Sequence, residues 1–256
     1  MILSNENLIM LCLGFFVVAT LYSSVGFGGG SSYLALLTLF FASFFVIRSI
    51  ALLCNLVVVS TSTYLYFKHG HAKLKDFLPF VVTSIPLAYV GASFTLSENV
   101  FFVILGISLI ISALALAWQT FSKTRSAIKN YPSFFSYSIG GAIGLLSGLV
   151  GIGGGIFLAP ILNHLKWSHP IKIAALASFF ILVNSISGLV GLFHADTLVL
   201  PWKEAIVLII VVFLGGQLGI RISLKKLTPN GIKRVTALLV LVVGLRVLLK
   251  NGLEVL

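Results

Sequence analysis

The sequence predicts an all-α polytopic membrane protein, because its apolar runs are long, its charge is low and barrel-like alternation is absent. Of its 256 residues, 59% are hydrophobic and 9% are charged, whereas a soluble domain normally carries about 25% charged residues. Backbone groups in lipid must be satisfied within the chain, which leaves helix bundles and closed barrels. Residues 100–118 and 205–218 are apolar on every side and do not alternate as barrel strands do. We therefore expect helices.

Ten apolar segments divide the chain, and we expect each of them to be helical. They cover residues 8–24, 30–46, 49–67, 77–96, 99–118, 134–150, 154–165, 171–193, 204–220 and 231–249. A helix needs about 20 residues to span the hydrocarbon core of a bilayer. The pair of segments around each glycine-rich cluster is therefore expected to form either two thin spans or a re-entrant hairpin.

The charged residues predict the orientation of the chain in the membrane. With both termini outside the cytoplasm, thirteen of the 17 basic residues lie in cytoplasmic loops, and five of the six acidic residues lie outside. This asymmetry follows the positive-inside rule, so the net charge of +11 requires no nucleic-acid partner. The cytoplasmic basic residues are Lys68, Lys73, Lys75, Lys123, Arg125, Lys129, Lys166, Lys172, Arg221, Lys225, Lys226, Lys233 and Arg234.

A glycine-rich motif occurs twice and predicts an internal repeat. The motif Val25-Gly-Phe-Gly-Gly-Gly30 recurs 125 residues later as Val150-Gly-Ile-Gly-Gly-Gly155. Each half of the chain then holds five segments, so a first repeat at residues 1–125 and a second at 126–256 must be inserted with opposite topology. Inverted repeats of this kind occur in many secondary transporters, where the binding site lies between them near the bilayer midplane.

The two glycine clusters are the first candidates for a binding site. Glycine permits positive φ and close approach of other backbone, so each cluster is expected to break one helix and start another. A new helix presents unpaired N–H groups and the positive end of its dipole, which together bind anions. The alternative is that the glycines only allow tight helix packing. The candidate residues are Gly26, Gly28, Gly29, Gly30, Gly151, Gly153, Gly154 and Gly155.

Polar side chains within or beside the apolar segments are the second group of candidates. Asn55 and Asn184 lie in corresponding segments of the two halves and are preferred to Gln217. For each of these side chains, a helix–helix hydrogen bond is the competing explanation. Arg48 and Lys172 follow the two glycine-bearing pairs and are expected either in electropositive vestibules or as snorkelling interfacial residues. The polar candidates for substrate binding are Ser24, Ser31, Asn55, Ser178, Asn184 and Gln217.

The distribution of acids, histidines and cysteines argues against several functions. No Asp or Glu lies inside an apolar segment, so carboxylate proton relays and acidic cation sites are not expected. The five histidines lie in loops or at helix ends, and Cys12 and Cys54 lack CxxC spacing. No constellation of catalytic or metal-ligating residues, such as a serine with a histidine or paired acids, occurs at depth in the membrane, so we expect no enzyme activity, no metal site and no cofactor.

Several motifs resemble the TauE/SafE sulfite exporter family. They are the paired glycine motifs, the stretch Gly155-Ile-Phe-Leu-Ala-Pro160, and the late motifs Gly219-Ile-Arg-Ile-Ser223 and Val243-Gly-Leu-Arg246. The resemblance covers essentially the whole chain. It implies movement of sulfite, sulfonates, sulfur-containing organic anions and related carboxylates across a bacterial membrane. The first half has Ala35 where the second has Pro160, so the two hairpins need not be equivalent.

Together, these features predict a secondary transporter of small anions in a bacterial inner membrane, with both termini extracytoplasmic. Sulfite or another sulfur-containing anion would bind at midplane between glycine-rich helix ends. An anion channel of the same architecture and a non-transporting membrane partner protein are the alternatives. The expected partners are the lipid bilayer and a small anionic substrate, without nucleic acid, and a homo-oligomer is compatible with the sequence.

Overall fold

The structure is a computed structural model that describes residues 3–25, 28–41, 43–71, 73–121, 128–129, 131–223 and 229–252. Within these ranges the regular secondary structure is entirely helical, which confirms the all-α prediction. A π-helical turn at Val247–Gly252 follows the last α-helix. The α-helices are α1 (Asn5–Val25), α2 (Gly30–Leu37), α3 (Phe44–Lys68), α4 (Leu74–Ser93), α5 (Glu98–Phe121), α6 (Ser133–Val150), α7 (Gly155–His164), α8 (Pro170–His194), α9 (Trp202–Ser223) and α10 (Pro229–Arg246).

Seven helices of the described chain are long and apolar enough to cross a bilayer, namely α1, α3, α4, α5, α6, α8 and α9. Their outer faces carry exposed apolar side chains, such as Ile206, Ile210 and Phe213 on α9. Spacing of three and four residues places these side chains on one face of the helix. A water-soluble protein would bury such a stripe, so lipid is its natural solvent. The protein is therefore a multi-pass membrane protein.

The helices α2 and α7 are too short to cross the membrane. They contain 8 and 10 residues, or about 12 and 15 Å at 1.5 Å per residue, against a hydrocarbon core of about 30 Å. α2 folds back on α1, and the rings of Phe15 and Tyr33 stack with centroids 4.6 Å apart. After α7, the carbonyl of Leu165 accepts a hydrogen bond of 2.8 Å from the hydroxyl of Tyr131, just before α6. The α6–α7 pair thus begins and ends at the same end of the molecule.

The boundary between α2 and α3 differs from the sequence prediction. One segment was expected over residues 30–46, but α2 ends at Leu37 and α3 already begins at Phe44. The hydroxyl of Thr38 donates to the carbonyl of Ala35, and tight turns follow at Leu39 and Phe40. The intervening residues are largely apolar and contain no glycine or proline to mark a break. The shift places Arg48 inside α3.

The helix contacts occur in corresponding pairs when α1–α5 are matched in order with α6–α10. α4 packs against α6 as α9 packs against α1, and α2 packs against α3 and α10 as α7 packs against α8 and α5. α3 packs against its own counterpart α8, and α5 packs against α10. Because α3 and α8 are the most buried of the spans, they form the centre of the molecule.

Glycines outside the two clusters allow these helices to pack with their backbones in contact. Added Cβ atoms at Gly140, Gly144 and Gly148 of α6 would collide with the backbone of α4. On α9, Gly215 and Gly219 meet the backbone of α1 in the same way. Small residues at four-residue intervals are typical of close helix contacts in membranes. For these glycines, packing is a sufficient explanation.

Candidate functional site

Both glycine clusters start a helix from a backbone conformation that only glycine adopts without strain. Gly29 precedes α2 with φ 89°, and Gly154 precedes α7 with φ 80°. Gly151 and Gly153 also have positive φ, at 83° and 84°. No side chain caps the first turn of either helix. The first N–H groups of a helix have no intrahelical partner and form the positive end of its dipole, and both helices place this end at the breaks.

The two breaks meet at Asn55, in the middle of α3. The Asn55 Nδ2 donates a hydrogen bond of 3.0 Å to the carbonyl of Ile152, within the α6–α7 break. Gly30, at the start of α2, lies so close that an added Cβ would overlap both the Ile152 oxygen and the Asn55 amide. The structure therefore brings the candidates Gly30 and Asn55 together with the second glycine cluster.

Side chains of α3 and α8 surround the remaining glycines. A Cβ at Gly153 would lie 2.8 Å from Ile181 Cγ2, 3.1 Å from Asn55 Nδ2 and 3.3 Å from Ser185 Oγ. Gly28 faces Asn55 Oδ1 from the other break, with 3.0 Å between that oxygen and an added Cβ. The buried Ser185 hydroxyl and the Asn55 Oδ1 have no partner among the described residues.

Ser31, a candidate in the first turn of α2, is buried beside a tyrosine that the sequence analysis did not single out. The Tyr22 hydroxyl lies 2.8 Å from Ser32 Oγ and 3.4 Å from Ser31 Oγ. Tyr22 belongs to α1, one turn before the first glycine cluster. This nearness to the cluster is the sequence feature from which its role could have been predicted. The contact fixes the start of α2 against the end of α1.

Three further candidates lie in α8 and α9. Asn184 Nδ2 donates 2.8 Å to the carbonyl of Phe180 in its own helix, and Gln217 Nε2 donates 3.1 Å to Thr61 Oγ1, joining α9 to α3. Ser178 is fully buried in α8. The polar side chain of α8 that faces Gly153 is Ser185, the immediate neighbour of Asn184. Gly26 and the side chain of Ser24 lie outside the described residues.

Arg48 adds a buried positive charge beside the α6–α7 break. Its side chain is 0% exposed, so it is neither an exposed vestibule residue nor a snorkelling one. Nη2 donates to the carbonyls of Ala92 (3.1 Å) and Gly148 (2.9 Å), in the last turns of α4 and α6. A Cβ at Gly151 would lie 3.3 Å from three Arg48 carbon atoms. Sequence reasoning missed this burial because α3 begins earlier than expected.

Lys172, the basic residue after α7, has a different environment. Its Nζ lies 2.5 Å from Asp76 Oδ2 at the start of α4, and the two side chains are 30% and 36% exposed. Lys172 also lies over the ring of Trp167. A partly exposed, paired lysine of this kind contributes little free positive charge.

The arrangement has the chemical features that favour an anion. It combines two helix N-termini without side-chain caps and a buried amide, with the Arg48 guanidinium bonded at the end of α6. The acids of the helices lie in first turns, at Glu6, Asp76, Glu98 and Glu204, so no carboxylate of a described helix interior opposes an anion. Among the described residues, no group of three His, Cys, Asp or Glu side chains is arranged to hold a metal ion.

Comparisons with known proteins cover almost the entire chain. The family described as "Sulfite exporter TauE/SafE" matches residues 11–247. A Sinorhizobium fredii protein named "Probable membrane transporter protein" is 32% identical over 250 residues, which cover 95% of this chain and 99% of the relative. A similarly named Methanocaldococcus jannaschii protein is 27% identical over 257 residues, covering 91% and 92% of the two chains.

A third relative, from Haemophilus influenzae, also carries the name "Probable membrane transporter protein" and is 28% identical over 174 residues, 65% of each chain. No solved structure matches the chain. The family match spans both glycine breaks and every helix from α2 to α10. The chain therefore belongs to the TauE/SafE sulfite exporter family of membrane transporters.

Proposed function

We propose that the protein is a secondary transporter of small anions, and that it binds a sulfur-containing anion such as sulfite between the two glycine breaks. The observation that carries the proposal is the meeting of the breaks at Asn55. Gly30 of one break and Ile152 of the other lie against the same buried amide. Two helix N-termini without side-chain caps thus lie next to one polar anchor.

Electrostatics favours an anion over a cation at this position. Each helix N-terminus carries the equivalent of about +0.5 charge, and α2 and α7 both begin at the breaks. Charges interact more strongly in a low-dielectric interior than in water. Arg48 adds a full positive charge, and its Nη2 bonds to the carbonyl of Gly148, three residues before Gly151. A cation would meet this positive potential without a carboxylate from the interior of any described helix to balance it.

The transport cycle in this proposal relies on two inverted repeats, residues 1–125 and 126–256. The corresponding helix contacts of α1–α5 and α6–α10 support such an arrangement. Alternating access would then occur by rocking one repeat against the other about the central α3 and α8, as in other transporters with inverted repeats. The predicted orientation, with both termini outside the cytoplasm of a bacterial inner membrane, belongs to the same proposal.

The choice of a sulfur-containing anion rests on the family. Its description names sulfite export, and the relatives' printed names give membrane transport without a substrate. Sulfite and sulfonates are small oxyanions that N–H donors at helix ends and a guanidinium can bind through several oxygens. The proposal therefore takes sulfite as the first substrate to test.

Flux into proteoliposomes of the purified protein tests this function. Sulfite, thiosulfate, sulfonates and small carboxylates are compared with and without a pH gradient. If the protein is a secondary transporter, uptake of a sulfur-containing anion should be saturable and driven by a gradient. Uptake that never saturates favours the anion channel. A folded protein that moves none of these anions contradicts the proposal and favours a non-transporting membrane partner.

A further inference from the structure

Arg48 lies buried near the start of α3, where it contacts the ends of two other helices. The Nη2 group donates to the carbonyls of Ala92 and Gly148. These carbonyls belong to the last turns of α4 and α6, the negative ends of the helix dipoles. A capping role for Arg48 accounts for these two hydrogen bonds, but it leaves the rest of the guanidinium unexplained.

The guanidinium has more donors than the protein occupies. An arginine carries five N–H donors, and here both Nε and Nη1 are buried without a protein partner. In the described part of the chain, the Arg48 guanidinium bonds to main-chain carbonyls, and no carboxylate pairs with it. A buried charge without a counter-ion is strongly unfavourable. Ionisable residues within membrane segments are accordingly associated with function.

The position of Arg48 connects it to the proposed anion site. Arg48 precedes Asn55 by seven residues, so both lie on the same face of α3, about 10 Å apart along its axis. Arg48 lies against Gly151, and Asn55 lies against Ile152 and Gly153. Three consecutive residues of the α6–α7 break therefore run from the base of the Arg48 side chain to the amide of Asn55, and the Arg48 guanidinium bonds to Gly148, three residues before Gly151.

The second half of the chain does not duplicate this charge. α3 begins at Phe44 and α8 at Pro170, so aligning the two helix starts matches Arg48 with Ala174. Lys172 is nearby in sequence, but it pairs with Asp76 at the partly exposed start of α8. The fixed positive charge at the breaks is thus contributed from one side.

We propose that Arg48 is a substrate-binding residue whose donors on Nε and Nη1 pair with the transported anion. The anion supplies the counter-charge that the protein lacks, so substrates must carry an ionised oxyanion group. This inference rests on the proposed anion transport, and it names the charged group that selects anionic substrates. The two helix-end carbonyls hold the guanidinium in place while its remaining donors face the substrate.

The test is the kinetics of sulfite uptake by the variants Arg48→Gln and Arg48→Lys in proteoliposomes. A hydrogen bond to a charged group contributes about 1.5–3 kcal/mol, so Arg48→Gln is expected to raise KM at least about tenfold. Arg48→Lys keeps the charge with fewer donors and is expected to raise KM less. Lys172→Gln is the matched control, since it removes a basic residue that is already paired, and its KM should stay within about twofold of the wild type.

Different outcomes separate this inference from the function on which it rests. If the wild type transports none of the screened anions, anion transport itself fails and the role of Arg48 falls with it. If the wild type shows saturable uptake and Arg48→Gln keeps the wild-type KM, Arg48 is only a helix cap and the inference alone is overturned. If neither Arg48 variant folds, the inference is overturned too, because capping of α4 and α6 is then a sufficient explanation for the buried arginine. A raised KM in a folded variant, with Lys172→Gln unchanged, supports it.

Discussion

The side-chain amide of Asn55 donates a 3.0 Å hydrogen bond to the main-chain carbonyl of Ile152, 97 residues further along the chain. The bond joins the middle of α3 to the break between α6 and α7. Gly30, at the start of α2, lies against both partners. One buried amide therefore connects the glycine breaks of the two halves, which could otherwise pack independently.

Replacing Asn55 with leucine should destabilise the protein more than the same change at Asn184. Asn55→Leu leaves the buried Ile152 carbonyl without its amide donor, which costs about 1–3 kcal/mol. Asn184 Nδ2 donates to Phe180 within its own helix, and that carbonyl keeps the backbone N–H of residue 184 as a partner. Thermal unfolding in detergent measures both losses. Equal melting temperatures for the two variants would contradict the bridging role of Asn55.

Alanine at Gly30 should disrupt the meeting point of the breaks. Its Cβ would overlap the Ile152 carbonyl and the Asn55 amide, so one of the breaks must move. We expect at least about tenfold weaker sulfite uptake at low concentration, the equivalent of about 1.4 kcal/mol. Gly216→Ala is the control, because the nearest atom to its Cβ is Ser23 Oγ at 3.3 Å. Similar uptake by the two variants would count against a site at Gly30.

Alanine at Gly144 should affect stability without affecting substrate affinity. This α6 glycine packs on Ser84 of α4, where an added Cβ would meet backbone atoms. Overpacking of a helix contact costs about 1–3 kcal/mol, so the melting temperature should fall. The fraction that remains folded should keep the wild-type KM for sulfite. A raised KM with an unchanged melting temperature would show that the packing glycines act in binding, contrary to this assignment.

Labelling of single cysteines tests whether the α6–α7 pair begins and ends on the same face of the membrane. The background variant lacks Cys12 and Cys54, and single cysteines then replace Lys129 or Lys166. Both should react with an impermeant maleimide from the same face of the membrane, because the Lys129 N–H donates to the Lys166 carbonyl. A cysteine at Asp196, between α8 and α9, should react from the opposite face. The positive-inside rule predicts that the first two are cytoplasmic. Labelling of residues 129 and 166 from opposite faces would contradict this same-face arrangement.

The helices were predictable because lipid leaves the chain few alternatives. Long apolar runs must form helices, and glycine clusters mark two of the breaks, so all ten segments correspond to helices in the structure. The break between α2 and α3 was not located, since residues 38–43 contain neither glycine nor proline. There the chain leaves α2 through local hydrogen bonds of Thr38, Leu39 and Phe40, residue types that do not mark a helix end in the sequence.

The site was less predictable, because side-chain direction depends on helix rotation. The sequence identified Asn184 as a candidate, but it could not tell that Ser185, not Asn184, would face Gly153. In the same way, α3 begins at Phe44, four residues before Arg48. Arg48 is therefore buried against Gly148 rather than exposed at the interface. Asn55 was identified because a deep amide in an apolar segment needs a polar partner.

The most direct test of a shared anion site is to measure sulfite affinity in two single variants, one in each glycine break. The measurement uses protein purified in detergent. Gly29→Ala and Gly154→Ala each place a side chain at positive φ, at 89° and 80°, which strains the helix start by about 1–2 kcal/mol. If both helix ends hold the same anion, each variant that remains folded should bind sulfite about tenfold more weakly or worse by titration calorimetry. If either variant binds sulfite as tightly as the wild type, the two breaks do not share one anion site.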